Sequence, residues 1–180
     1  VEGELLQHLA LFNTKQTIRD YLRRIRGKTA LLLALSCQVG AMAANKSPEK
    51  VKNMYNFGYN LGMAFQIIDD ILDIEENTNT KKTKGEDLLN GHVNLPVLIS
   101  LKDKDKRSLE LESIIINRFN EYNSLERGIE IIKEKKGIMK AKEIAYRYSE
   151  KAKSYLNSFP ESPVKKELIR ITDSLYERNF

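Results

Sequence analysis

One stretch of this chain restricts its fold more than any other: Gly58 to Ile74, GYNLGMAFQIIDDILDI. On a helix at about 100° per residue, Gln66, Asp69, Asp70 and Asp73 fall within an arc of roughly 100°. Gly62 and Tyr59 project onto the same arc. Leu61, Met63, Ala64, Phe65, Ile67, Ile68, Ile71, Leu72 and Ile74 hold the remaining directions. A surface helix has the opposite design, a narrow apolar stripe and a broad polar face. This helix therefore demands burial on most sides, with its carboxylates facing an enclosed or half-enclosed space.

Carboxylates that close repel one another unless something neutralises them. Oxygen ligands spaced i, i+4 on one helix suit a hard divalent cation such as Mg²⁺, which keeps several waters and commonly bridges one or two carboxylates to phosphate oxygens. The competing reading is a solvated acidic edge. The apolar flanks, and Gln66 one turn before the acids, weigh against it.

The rest of the chain reads as helices. Residues 2–12 close one helix, and Asn13 and Thr14 can cap the next, running to about Ala44. Ser47-Pro48 is a start signal, Ser at the N-cap and Pro at the first helical position, for a helix reaching about Glu75. Residues 76–94 are polar, contain Gly85 and Gly91, and read as a long functional loop. Residues 76–86 in particular lack an apolar period and are expected to be the most mobile internal segment. Helices follow at Leu95–Leu101 and near 107–119, 124–136, 138–158 and 163–178, with Gly137 as a stop. No period-two alternation and no internal repeat stands out. The expected fold class is all-α, one helical bundle over 1–180.

Composition excludes several classes. Hydrophobic residues make up 41% and charged residues 31%, which suits a folded globular chain. The net charge of +5 favours an anionic ligand but is no nucleic-acid footprint by itself. The densest basic cluster, Arg19, Arg23, Arg24, Arg26 and Lys28, reads as a solvated helix face. Cys37 is the single cysteine; it lies in an apolar run, reads as a core residue and fits a reducing cytoplasm. The run itself, Ala30 to Ala44, is shorter than the roughly 20 residues that span a bilayer and reads as a buried helix. The chain opens on Val1 in what reads as mid-helix.

Two further segments bear on an anionic ligand. Arg26-Gly27-Lys28-Thr29 puts a glycine in a helix interior, where it costs stability but permits close approach or a local kink. Lys81, Lys82 and Lys84, followed by Gly85-Glu86-Asp87, could clamp a phosphate beside the acidic helix. In isolation, solvated lysines explain both.

Together, in order and spacing, these segments resemble the trans-prenyltransferase (polyprenyl diphosphate synthase) family. FQIIDDILD resembles its second aspartate-rich motif, GKTALL its Lys-Thr motif, and KKTKGEDLLNGHVNLPVL the lysine loop that follows; Gly3, Glu4 and Gln7 resemble the preceding helix. The Asn and His of GHVNLPVL are similar to those of the larger component of two-component heptaprenyl or hexaprenyl diphosphate synthases. The resemblance implies the isoprenoid-synthase helical bundle without its N-terminal half, where the first aspartate-rich motif lies. It implies Mg²⁺-dependent addition of isopentenyl diphosphate to an allylic diphosphate, giving a long all-trans chain of the kind used as a quinone side-chain precursor. Asp69, with Asp70 and Asp73 close by, would hold the metal; Lys28, Lys82 and His92 would contact diphosphate; Thr29 and Gln66 would place oxygen dipoles near the allylic cation. It further implies a cytoplasmic homodimer, or a heterodimer with a small regulatory subunit. A non-catalytic diphosphate-binding subunit of the same fold, and more remotely a basic helical nucleic-acid binder, are the alternatives.

Overall fold

The computed structural model describes residues 10–75 and 84–177, and among them every regular element is helical. The elements are α1 (Ile18–Ile25), a π-helical turn (Arg26–Ala30), α2 (Leu31–Ala43), α3 (Pro48–Ile74), α4 (Glu86–Leu89), α5 (Leu95–Leu101), α6 (Lys106–Ile116), α7 (Ser124–Glu134), α8 (Gly137–Tyr155), a 3₁₀ turn (Leu156–Ser158) and α9 (Pro163–Glu177).

The acidic helix α3 is the axis of the bundle. Its start is as expected, with Ser47 at the N-cap and Pro48 first in the helix. It packs most extensively against α2 on one side and α8 on the other. On α8, Ala141, Ala145, Ser149 and Ala152 are buried, so small side chains line the buried side of that helix. Towards α2 the fit depends on glycine: a Cβ at Gly62 would lie 2.7 Å from Ala30 Cα, and one at Gly58 2.5 Å from the Leu33 carbonyl oxygen. Met63, Ile67, Ile71 and Ile74 fill the core between these elements.

Several sequence expectations need correction. Asn13 and Thr14 do not cap the next helix. Asn13 Oδ1 accepts from the Lys15 N–H and Thr14 Oγ1 donates to Glu112. Thr17 caps α1 instead, through a reciprocal box with Asp20, which satisfies two otherwise orphaned donors. The helix expected to run to Ala44 is interrupted at Gly27 by the π turn, in which the Leu31 N–H bonds the Arg26 carbonyl five residues back. Gly137 is not a stop: Lys136 takes the left-handed position (φ 57°) and Gly137 opens α8, where a Cβ would sit 2.3 Å from Ser100 Oγ. Helix α6 ends at Ile116 because Arg118 and Phe119 turn left-handed. Inside the expected loop, residues 86–89 form the short helix α4.

Helix α2 is not fully buried either. Ala34 and Ala41 are, and Cys37 packs beside Phe57, but Leu32, Leu35, Val39 and Met42 are each at least half exposed. Their spacing makes one apolar stripe. The 180-residue chain is therefore expected to associate reversibly in sedimentation experiments, and Leu35→Lys/Val39→Lys to shift it towards monomer. Unchanged sedimentation of the double variant would show that this stripe is not the cause.

Candidate active site on the acidic helix

The π turn and α3 meet at Gly62, and this contact sets the site. One helical turn beyond Gly62, Gln66 is buried. Its Oε1 accepts from Thr29 Oγ1 at 2.6 Å, and its Nε2 faces Asp70 Oδ1 at 3.0 Å and Asp69 Oδ2 at 3.3 Å. A chain of polar contacts thus runs from the Lys-Thr segment to the acids. Lys28, Gln66, Asp70, Asp87, His92 and Asn94 line one small cavity together with Arg24. The cavity brings residues of three separate segments together, with Asp70 as the acid of the stripe that lines it; Asp69 and Asp73 are not in its lining.

The three acids have different surroundings. Asp69 is exposed. Asp70 is partly buried, and its Oδ2 accepts from the Tyr21 hydroxyl at 2.7 Å. Asp73 is also partly buried, and its Oδ1 accepts from the Asp87 N–H at 3.0 Å. That bond caps α4, whose preceding residue Gly85 is left-handed (φ 72°). Among the described residues no three acidic, histidine or cysteine side chains gather as a ready metal cage. The donor set fits a cation that takes one or two carboxylates and draws its other ligands from phosphate and water; of the three acids Asp69 is the exposed one.

Sequence reading missed Tyr21, Arg24, Asp87 and Asn94. Tyr21, Arg24 and Ile25 form the buried face of α1, so the basic cluster is not uniformly solvated. Arg24 donates to Gln16 Oε1 at 2.8 Å and to the Val93 carbonyl at 3.1 Å, and its guanidinium lies 5.4 Å from the Tyr21 ring centroid. The i, i+3, i+4 spacing of these residues was the available signal. Lys28 is exposed at the cavity rim and His92 is half-buried. Gly3, Glu4, Gln7, Lys81 and Lys82 lie outside the described residues, as does the segment expected to be most mobile apart from Lys84–Glu86.

Electrostatics distinguish Asp70. Burial pushes its carboxyl up to about 6; bonds from Tyr21 and Gln66 pull it back, Asp69 adds to the rise and Arg24 opposes it. Burial and Asp70 also hold the Tyr21 phenol well above its ordinary value, so Tyr21 remains a donor. Because folding raises the Asp70 value above 3.8, the folded state binds more protons than the unfolded chain across the interval between the two values. Stability is expected to fall as pH rises through roughly 4 to 6 at this residue. Denaturant titrations of the metal-free protein should show this slope, and Asp70→Asn should flatten it.

Comparison with known proteins shows the family and the fold. The polyprenyl synthetase family profile matches residues 1–132. The chain is 40% identical over 179 residues to heptaprenyl diphosphate synthase component 2 of Bacillus subtilis, covering 99% of this chain and 51% of that protein. It is 37% identical over 161 residues to solanesyl diphosphate synthase 2 of Arabidopsis thaliana, covering 89% and 38%. Among solved structures, heptaprenyl diphosphate synthase of Staphylococcus aureus matches with a TM-score of 0.87 at 37% identity, covering 99% and 56%. A polyprenyl synthase of Caulobacter crescentus, complexed with calcium and isoprenyl diphosphate, matches at 0.90 with 29% identity, covering 99% and 55%.

The fold is the all-helical one of these solved prenyl synthase structures. The chain belongs to the polyprenyl synthetase family. It spans about half the length of the curated relatives it matches.

Proposed function

We propose that this chain is the C-terminal part of a trans-polyprenyl diphosphate synthase, which adds isopentenyl diphosphate to an allylic diphosphate to build a long all-trans chain. The observation that carries the reading is the linked set Thr29–Gln66–Asp69/Asp70 beside Lys28.

In the reaction, the bond between the allylic carbon and its diphosphate oxygen breaks, and the electron pair leaves with the diphosphate. The alkene pair of isopentenyl diphosphate forms the new carbon–carbon bond, and a proton passes to the released diphosphate. Lys28 and Lys82 supply positive charge to the departing group, and His92 contacts the diphosphate. Gln66 turns its Nε2 to the carboxylates and its Oε1 to Thr29. These oxygens are thereby directed away from the acidic end, as a developing allylic cation requires. Asp69 would hold Mg²⁺ directly, with Asp70 and Asp73 as further ligands or bound through its waters. Bound Mg²⁺ would supply Lewis-acid stabilisation of charge on the diphosphate.

The Bacillus subtilis relative is named as a second component, which supports a small partner subunit; a homodimer is the other arrangement. No described helix is long and apolar enough to cross a membrane, and we place the enzyme in the cytoplasm.

The test is incorporation of labelled isopentenyl diphosphate into an allylic primer with Mg²⁺. The 180-residue chain is expected to give none. The full-length protein, supplied with its small subunit where one exists, is expected to elongate the primer. Turnover by the short chain would refute the view that it holds only part of the site. A full-length protein inert towards every allylic primer would favour a non-catalytic subunit.

A further inference from the structure

Asn94 occupies the position before α5 where a side chain ordinarily caps its own helix, yet it caps nothing there. It turns instead to the acidic helix, and its Nδ2 donates to the Asp70 carbonyl at 3.2 Å. That contact fixes the amide orientation, since the opposite one would set two acceptors face to face. Oδ1 is consequently directed elsewhere. It is buried and receives no hydrogen bond from the protein, and Asn94 as a whole is only 3% exposed.

A buried amide oxygen of this kind calls for a donor. Asn94 lines the small cavity described above, whose volume is about 20 Å³. That is room for a single water, which needs two to four polar partners. The lining provides them: Arg24 uses two of its five N–H groups on Gln16 and Val93, and the Asp70 oxygens retain lone pairs beyond the bonds from Tyr21 and Gln66.

We propose that this cavity is a water site: one internal water donates to Asn94 Oδ1 and to the Asp70 carboxylate and accepts from Arg24. Asn94 is thereby a positioning residue. It grips the Asp70 main chain directly and the Asp70 carboxylate through the water, and so fixes the acidic stripe against the segment that carries Asp87 and His92. A divalent cation would be the wrong occupant, because Arg24 and Lys28 both border the cavity. The water follows from geometry alone; the positioning role rests on the metal–diphosphate reading above.

The experiment is a crystal structure of the full-length protein at about 1.8 Å or better, with Asn94→Leu and Asn94→Ser alongside. A water within about 3 Å of Asn94 Oδ1 is expected in the natural protein, lost in Asn94→Leu and kept in Asn94→Ser. An empty cavity, or the Lys28 ammonium seated on Oδ1, overturns the water site. Affinity for Mn²⁺ with inorganic pyrophosphate is measured on the same proteins. Asn94→Leu is expected to weaken it by about tenfold, the scale of losses behind a metal ligand, and Asn94→Ser to recover most of it. Unchanged affinity in Asn94→Leu overturns the positioning role. If the natural protein does not bind Mn²⁺ with pyrophosphate, it is the metal reading that fails, and the density still decides the water.

Discussion

Asp69→Ala, introduced into the full-length protein, is expected to reduce incorporation of labelled isopentenyl diphosphate by at least about a thousandfold while leaving the melting temperature within a degree or two. The size follows from what a metal contributes to a departing diphosphate: several kcal/mol of charge stabilisation, with each 1.36 kcal/mol worth about tenfold in rate. The unchanged stability follows from the position of the residue. Asp69 is exposed, and its hydrogen-bonding neighbour is the Gln66 amide at 3.3 Å, so little of the fold depends on it. Asp70→Ala provides the contrast. It would leave the Tyr21 hydroxyl, fully buried, without its acceptor, and a buried donor stripped of its partner costs about 1–3 kcal/mol. Turnover and melting temperature should therefore fall together in Asp70→Ala and separate in Asp69→Ala. Full turnover by Asp69→Ala would remove the metal role on which the proposed chemistry depends.

The second large effect concerns packing. Gly62→Leu is expected to lower the melting temperature by about 10 °C. Its Cβ would lie 2.7 Å from Ala30 Cα and 3.3 Å from Ala30 Cβ. The atom in the way is main chain, so rotamer changes bring no relief. Overpacking of this kind costs about 1–3 kcal/mol, and more where backbone must move; for a chain of this size each kcal/mol is worth about 2–4 °C. Pushing α3 from the π turn also pulls Gln66 from Thr29, so diphosphate affinity should fall with stability. Gly40→Ala is the control. A Cβ there meets nothing within 4 Å, and alanine is the better helix former by about 1 kcal/mol, so calorimetry should show a neutral or slightly raised melting temperature. Equal destabilisation by both variants would refute the close-approach account.

The acidic helix was legible because its signal is local: girth and stripe are set by the residues of one segment, and Ser47-Pro48 marks its start. The convergence of Thr29, Gln66 and Lys28 was legible only through the order and spacing of several motifs. What escaped has identifiable causes. Thr17 beat Asn13 as a cap because Asp20 completes a box three residues on, a pairing read by spacing rather than by residue type. Lys136, Arg118 and Phe119 adopt left-handed backbone that their identities disfavour, so composition pointed to Gly137 instead. Arg24 looked like solvent-facing charge because an arginine is seldom buried, and what buries it, Gln16 and the Val93 carbonyl, is brought to it only by tertiary folding. The open stripe on α2 was invisible for the opposite reason: an apolar run predicts burial but does not say which element supplies it.

The π turn at Arg26–Ala30 has a consequence for how this chain tolerates length changes. It holds one more residue than a regular turn would, so α1 and α2 are out of phase by about a residue's rotation. Removing one residue of the turn would let the backbone close into continuous α-helix and leave α2 in phase with α1. Rewinding the turn with all its residues kept would also form better bonds, but would rotate Thr29 and α2 by up to about 100° relative to Tyr21 and Arg24, carrying the hydroxyl away from the residues that seat Asp70. Local regularity and the alignment of the polar cluster are thus in direct opposition at this point, and the chain keeps the less regular helix.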